Sequence, residues 1–173
     1  MKRLIFILCF VAVSFNLSAQ NDWHYLTLDY TVAGTNHKVN KSDFETSDFT
    51  LSYGYRFNDK WAAYIPITSA VAKYALSPVK LCDDQALLGL GVVRTLPLMN
   101  GRLDLDFDLS YSATYLSGTQ EYGVAKFMVK VASGRQISKA SPVIGVGVLY
   151  NHSYKADKTN RVMLGVSIGG RIF

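Results

Sequence analysis

The side chains best suited to covalent chemistry are a histidine and a serine that follow one another, His152 and Ser153. Such a pair could act as a general base and a nucleophile, but the base needs an acid to orient it. Both glutamates of the chain, Glu45 and Glu121, fall in predicted loops, and Asp157 is the nearest carboxylate in sequence. Adjacent residues of a strand also point to opposite faces. The sequence therefore predicts no catalytic site.

A second group of polar side chains is ionic and follows the period of a strand. Asp104, Asp106 and Asp108 occupy every second position, and Lys126 and Lys130 lie four residues apart. Spacing by two or four keeps each set on one face of its strand. Neighbouring strands lie about 4.8 Å apart, so the two sets can form ion pairs. Counting back from the connection at 117–121 predicts that Asp108 lies opposite Lys130.

The first and last strands carry a further set of charges. If the sheet closes, Asp29 is expected to lie beside Arg161 and Arg171. The predicted interior charge network comprises Asp29, Arg56, Asp104, Asp106, Asp108, Lys126, Lys130, Arg161 and Arg171.

The stretch from 102 to 115 shows which kind of element carries these charges. Its odd positions are apolar or aromatic and its even positions are polar over fourteen residues. Strict alternation predicts a strand with one apolar and one polar face. At about 3.3 Å per residue, such a strand is long enough to cross the apolar band of an outer membrane, about 25 Å tall.

The same alternation recurs along the chain and predicts an all-β fold. An eight-stranded antiparallel up-and-down barrel accounts for it, with long loops at 34–46 and 71–83. A bulge is expected at Pro66, which lacks a donor for the ladder, and either a bulge at Gly169 and Gly170 or a frayed strand end is expected near residue 173. The predicted strands are 23–32, 47–57, 61–70, 84–96, 102–115, 122–132, 142–152 and 160–173.

The first twenty residues predict a secretory signal peptide. They combine a basic start, an apolar run and small residues before a cut near 20, and the run is too short for a transmembrane helix. The mature domain is then 21–173.

The whole chain carries a net charge of +5, which falls to +3 when Lys2 and Arg3 leave with the signal. This mild charge indicates no nucleic-acid partner. Cys82 is the one mature cysteine, so no intrachain disulfide is expected. No metal or cofactor motif is found.

Two kinds of eight-stranded barrel are compatible with this pattern, and they differ in which face of the sheet contacts water. A soluble barrel keeps its apolar face inside, whereas a membrane barrel turns that face to lipid. Small residues and matched charges on the polar face favour the membrane barrel, as do longer predicted connections on one side. Aromatic residues on the apolar face suit a membrane interface. The predicted aromatic girdle comprises Tyr53, Tyr55, Phe57, Trp61, Tyr111 and Tyr115.

The chain resembles the small bacterial outer-membrane barrels of the OmpA and OmpX type. The features that carry the resemblance are the signal peptide, the eight alternating strands, and the ending Val-Ser-Ile-Gly-Gly-Arg-Ile-Phe. In that ending, Ile168, Ile172 and Phe173 look like the signal that the barrel-assembly machinery recognises. The resemblance implies a monomer in the bacterial outer membrane whose partners are the assembly machinery, membrane lipid and lipopolysaccharide, without a cofactor.

Architecture alone does not fix the function, because this family includes adhesins, anchors, pores and lipid-modifying enzymes. The interior of an eight-stranded barrel is just wide enough for side chains to fill. We therefore expect a structural or surface-interaction role. Two alternatives stay open, a lipid A-modifying enzyme that uses a rim histidine and serine, and a narrow channel for small apolar molecules.

Overall fold

The computed structural model describes residues 23–35, 44–76, 79–116, 122–134, 140–153 and 160–172. The predicted signal peptide, Asp157 and Phe173 lie outside these ranges. Within them, no helix has the length and apolarity needed to cross a membrane.

Eight antiparallel strands form one closed barrel in which each strand pairs with its neighbours in sequence and the first pairs with the last. The predicted fold is therefore confirmed. A short 3₁₀ turn, Met99–Gly101, connects the fourth and fifth strands. The strands are β1 His24–Gly34, β2 Phe44–Arg56, β3 Trp61–Leu76, β4 Val79–Leu98, β5 Leu103–Leu116, β6 Tyr122–Ser133, β7 Ala140–Ser153 and β8 Arg161–Ile172.

We name the two ends of the barrel by what they carry. The terminal end holds Trp23 and Ile172 together with the turns at 57–60 and 99–102. At the first of these turns the Asn58 side-chain oxygen accepts hydrogen bonds from the amides of Lys60 and Trp61, each at 2.9 Å. The loop end is the opposite end, where β3 is followed by β4.

The prediction of a long loop at 71–83 was wrong. β3 continues to Leu76 and β4 begins at Val79, so two residues separate them. The hydrophobic alternation fades in this segment, but ladder pairing persists from Val71↔Asp84 to Leu76↔Val79. Backbone hydrogen bonding to a neighbouring strand does not require alternating side chains. The two strands therefore continue beyond the residues at which the alternating pattern stops.

Both predicted bulges are absent from the described ladders. β3 keeps one register against β4 on either side of Pro66, from Tyr64↔Gly91 to Ile67↔Leu88, and simply forms no pair at positions 65 and 66. Gly169 and Gly170 also pair in unbroken register with β1 and β7. A register shift occurs instead between Ala86 and Leu87 in the β4–β5 ladder.

Candidate functional site

The barrel has an apolar outer wall and a polar interior. Large apolar side chains of every strand face outward and are exposed, among them Leu90, Leu109, Phe127, Val146 and Leu164. The alternate positions point inside, and the buried ones include five aspartates, one lysine and two arginines. In water this arrangement would expose the apolar half of each strand and bury its charges, which is unfavourable on both counts. The candidate site is therefore the interior.

The centre of the interior is organised around Lys130. Its Nζ lies 2.8 Å from the Asp29 carboxylate of β1 and 2.7 Å from the Asp108 carboxylate of β5. The Tyr64 hydroxyl of β3 donates a hydrogen bond to the other oxygen of Asp108. Beside Tyr64, the ring of Tyr25 packs with centroids 5.5 Å apart. One buried lysine thus links β1, β5 and β6, and Asp108 extends the link to β3.

A second ionic group lies nearer the terminal end and is organised around Arg171 of β8. Its guanidinium donates to the carboxylate of Asp106 and, at 2.7 Å, to that of Asp104, both on β5. It also donates to the Ser133 carbonyl of β6 at 3.2 Å. The Thr95 hydroxyl donates to the second oxygen of Asp106 at 2.6 Å. The last strand of the chain is thereby connected to strands on the far side of the barrel.

A third ion pair joins Lys126 to Asp48 across the interior, with 2.7 Å between Nζ and the carboxylate. Asp48 was placed on the inward face by its alternation but was not assigned to the predicted network. β2 and β6 are not neighbours, so a comparison of adjacent strands could not find this partner. The signal available in the sequence was the inward position of Asp48 on its strand, since every inward charge of a narrow barrel is a candidate partner for every other.

The predicted network differs from the observed one in its partners. Asp108 and Lys130 do pair, but diagonally, because the β5–β6 register places Asp106 opposite Lys130. The predicted register was wrong by two residues. The apolar pattern determines which face of each strand points inward, but a register shift of two residues leaves those faces unchanged. Asp104 and Asp106 contact Arg171 and not the two lysines.

The ion pair of Asp29 differs from the predicted one, although Arg171 lies diagonally across from Asp29, opposite Thr27. Asp29 binds Lys130, and its strand neighbour on β8 is Gly169. Arg161 lies eight residues further along β8, about 26 Å away at about 3.3 Å per residue, beside Asn151. Arg56 is buried at the terminal end, where it donates to the Asp59 carbonyl at 3.1 Å.

Glycines make room for the large interior side chains. A Cβ on Gly91 would lie 2.2 Å from the Tyr64 ring, and a Cβ on Gly54 would lie 2.6 Å from the Tyr64 Cβ. A Cβ on Gly145 would lie 2.7 Å from the Lys130 Cγ. The Tyr64 ring and the Lys130 stem therefore occupy volume that any other residue at these positions would fill.

We expect Gly91→Ala to lower the free energy of unfolding by about 1–3 kcal/mol, the usual cost of overpacking a filled interior. The measurement is urea unfolding of the refolded protein in lipid. Gly170→Ala is the matched control, because a Cβ there meets nothing nearer than the Ser141 carbonyl at 4.0 Å. Equal destabilisation by the two substitutions would contradict the packing described for Tyr64.

Toward the loop end the interior becomes apolar. A buried cluster there comprises Ala33, Ala70, Leu87, Tyr122, Val124, Met128, Leu149 and Met163. Two cavities border the ion pairs in the described interior, with volumes of about 10 and 20 Å³. A single water needs about 10–15 Å³. Each of these two cavities therefore has room for about one or two waters.

The aromatic side chains of the predicted girdle lie on the outer wall in two groups. At the terminal end, Tyr55 stacks on Trp23 and meets Phe57 edge-on, with centroid distances of 6.2 and 6.0 Å, and Trp61 follows the adjacent turn. Tyr53 is half-buried and its hydroxyl lies 2.9 Å from His24 Nδ1. The second group, toward the loop end, consists of Tyr111, Tyr115 and Tyr150.

His152 lies near the loop end of β7 and contacts an amide. Its Nδ1 lies 2.8 Å from the Asn160 side-chain oxygen, and its ring stacks on Tyr150 at 6.4 Å. An amide can orient an imidazole, but it lacks the negative charge that stabilises an imidazolium.

Among the residues that the structure describes, no group of three or more histidine, cysteine or acidic side chains could hold a metal ion.

The apolar exterior and charged, filled interior decide between the two kinds of barrel. The chain folds as a membrane-type barrel. No protein-family model matches its sequence, and no curated protein does either. The matching solved structures include the neisserial surface protein A, NspA, at 18% sequence identity and a TM-score of 0.45, with 86% of this chain and 96% of that chain covered.

Proposed function

We propose that this protein is a structural or surface-interaction barrel of the bacterial outer membrane and that its interior is closed by side chains. The observation that carries the proposal is the inverted polarity of the wall, with exposed leucine, valine and isoleucine outside and paired charges inside. A continuous apolar exterior of this kind requires lipid around it. A closed barrel also leaves no unpaired strand edge in that lipid.

The proposal includes an orientation and a set of partners. Export by the signal peptide would place the terminal end toward the periplasm and the loop end outside. The partners are outer-membrane lipid, lipopolysaccharide and the barrel-assembly machinery, which would bind the ending that contains Ile168, Ile172 and Phe173. We propose a monomer without a cofactor, a nucleic-acid partner or a catalytic role.

We expect the purified protein to give no large, steady, ohmic channels in planar lipid bilayers. The physical reason is that Lys130, Arg171 and the apolar cluster occupy the lumen, and the two cavities that border the ion pairs are of water size. Single-channel recording at matched protein density is the measurement. A reproducible ohmic conductance would contradict the closed interior.

Membrane location has its own test, which does not depend on conductance. Cell fractionation followed by gel electrophoresis of unheated and boiled samples should give an outer-membrane protein whose mobility changes on boiling. A soluble periplasmic protein without a mobility change would overturn the membrane proposal itself.

A further inference from the structure

One cation of the barrel faces outward. Arg94 lies on the same face of β4 as Leu88, Leu90 and Val92, and it is exposed on the outer wall. Its guanidinium carbon lies 5.5 Å from the centroid of the Trp61 ring on β3. Arg94 of β4 is paired across the sheet with Trp61 of β3 on one side and with Phe107 of β5 on the other. A permanent charge is thus held between aromatic side chains on a surface otherwise turned to lipid.

Arg94 differs from the interior cations in its partners. Lys126, Lys130 and Arg171 each contact at least one carboxylate at 2.5–2.8 Å. Within the described residues, Arg94 makes no hydrogen bond or ion pair, and the Trp61 ring is the contact it has. A tryptophan face attracts a guanidinium but neutralises none of its charge and accepts none of its five N–H groups in a conventional hydrogen bond. A guanidinium at the edge of the lipid band is therefore available to an anion from outside the chain.

The position of Arg94 indicates what that anion is. Trp61 is the first residue of β3 after the turn at 57–60, so the pair lies toward the terminal end, where Trp23, Tyr55 and Phe57 form the aromatic group. Aromatic belts of this kind lie at the level of the lipid headgroups. The planar guanidinium fork binds phosphate oxygens in pairs, and stacking on a ring leaves its edge free to do so.

We propose that Arg94 and Trp61 form a binding site for the phosphodiester of a phospholipid. Arg94 would donate two parallel hydrogen bonds to the phosphate, Trp61 would hold the guanidinium plane, and the acyl chains would follow the apolar wall of β3 and β4. This inference rests on the proposed function, because that orientation turns the terminal end toward the phospholipid leaflet and the loop end toward lipopolysaccharide.

The test counts bound lipid by native mass spectrometry. The protein is refolded in a phosphate-free detergent, octyl glucoside, and titrated with phosphatidylglycerol. We expect Arg94→Gln to weaken binding by about tenfold, as expected for the loss of a charge-assisted hydrogen bond. Trp61→Leu should weaken it less, because the charge remains. Arg102→Gln is the matched control and should bind as the wild type does, since Arg102 is exposed at the same end but lies in the turn after Gly101.

Three results would overturn the site. They are equal binding by wild type and Arg94→Gln, equal binding of a phosphate-free diacylglycerol, and tighter binding of lipid A than of phosphatidylglycerol. Each variant is first checked for the mobility change on boiling, so that failure of the site is separated from failure of the barrel. If Arg94→Gln does not fold, Arg94→Lys replaces it and should bind more weakly than wild type, because it keeps the charge and loses the fork. Wild-type binding by Arg94→Lys would then contradict the proposal.

Discussion

Replacing Arg171 with methionine is expected to lower the free energy of unfolding by about 3–5 kcal/mol, the usual cost of removing one partner from a buried ion pair. The methionine keeps much of the volume but leaves the carboxylates of Asp104 and Asp106 in an interior without their shared cation. The Arg171 side chain is fully buried, so water cannot substitute for it. Urea unfolding in lipid, followed by the change in gel mobility, gives the measurement.

The matched variants separate lost charge from lost packing. Arg102→Met makes the same substitution at an exposed position and should cost under about 1 kcal/mol. The triple variant Arg171→Met, Asp104→Asn, Asp106→Asn should recover much of the loss, because it removes the two stranded charges as well. If the single and triple variants were equally unstable, electrostatics would not explain the role of Arg171.

Replacing Leu109 with arginine is expected to hinder assembly and to cost about 2–4 kcal/mol, as for a cation on the lipid face near the midplane of a barrel. Leu109 points outward from the middle of β5, with 53% of its surface exposed, and it is flanked by Val92 and Phe127. Refolding into lipid vesicles, followed by urea titration, measures the cost.

Depth provides the control for this experiment. Leu98 is also exposed on the wall but lies at the terminal end of β4, so Leu98→Arg should cost only about 0–1 kcal/mol. Leu109→Met should be nearly neutral. If Leu109→Arg were as harmless as Leu98→Arg, the band between the two ends would not be facing lipid.

The sequence was sufficient to predict the number of strands and the direction in which their residues point. Alternation is strict in β5 and β2, and a period of two assigns every side chain to one of two faces. The same two faces persist on the less regular β4, where Arg94 is exposed and Val93 is buried. The end of β3 and the start of β4 could not be predicted, because these residues pair through the backbone and need no alternating pattern to do so.

Among the interior charges, Asp108 and Lys130 could be paired from the sequence because they lie on adjacent strands. Other contacts cross the barrel: Arg171 contacts β5, Lys126 contacts β2, and Lys130 also contacts β1. Closing a sheet of eight strands brings opposite walls within reach of a lysine or arginine, and those contacts depend on register. The apolar pattern cannot distinguish registers that differ by two residues, because such a shift leaves the faces of the strand unchanged.

The interior is ionic near the terminal end and mostly apolar toward the loop end, where the Lys126–Asp48 pair lies beside Leu149 and Met163. Near Arg171 and Lys130, opening a path means separating buried charges, which dissolved salt screens only weakly. Near Leu149 and Met163, opening a path means wetting apolar surface, which becomes less costly on cooling because the hydrophobic effect weakens. The lumen therefore contains two barriers in series, and cooling lowers only the second of them.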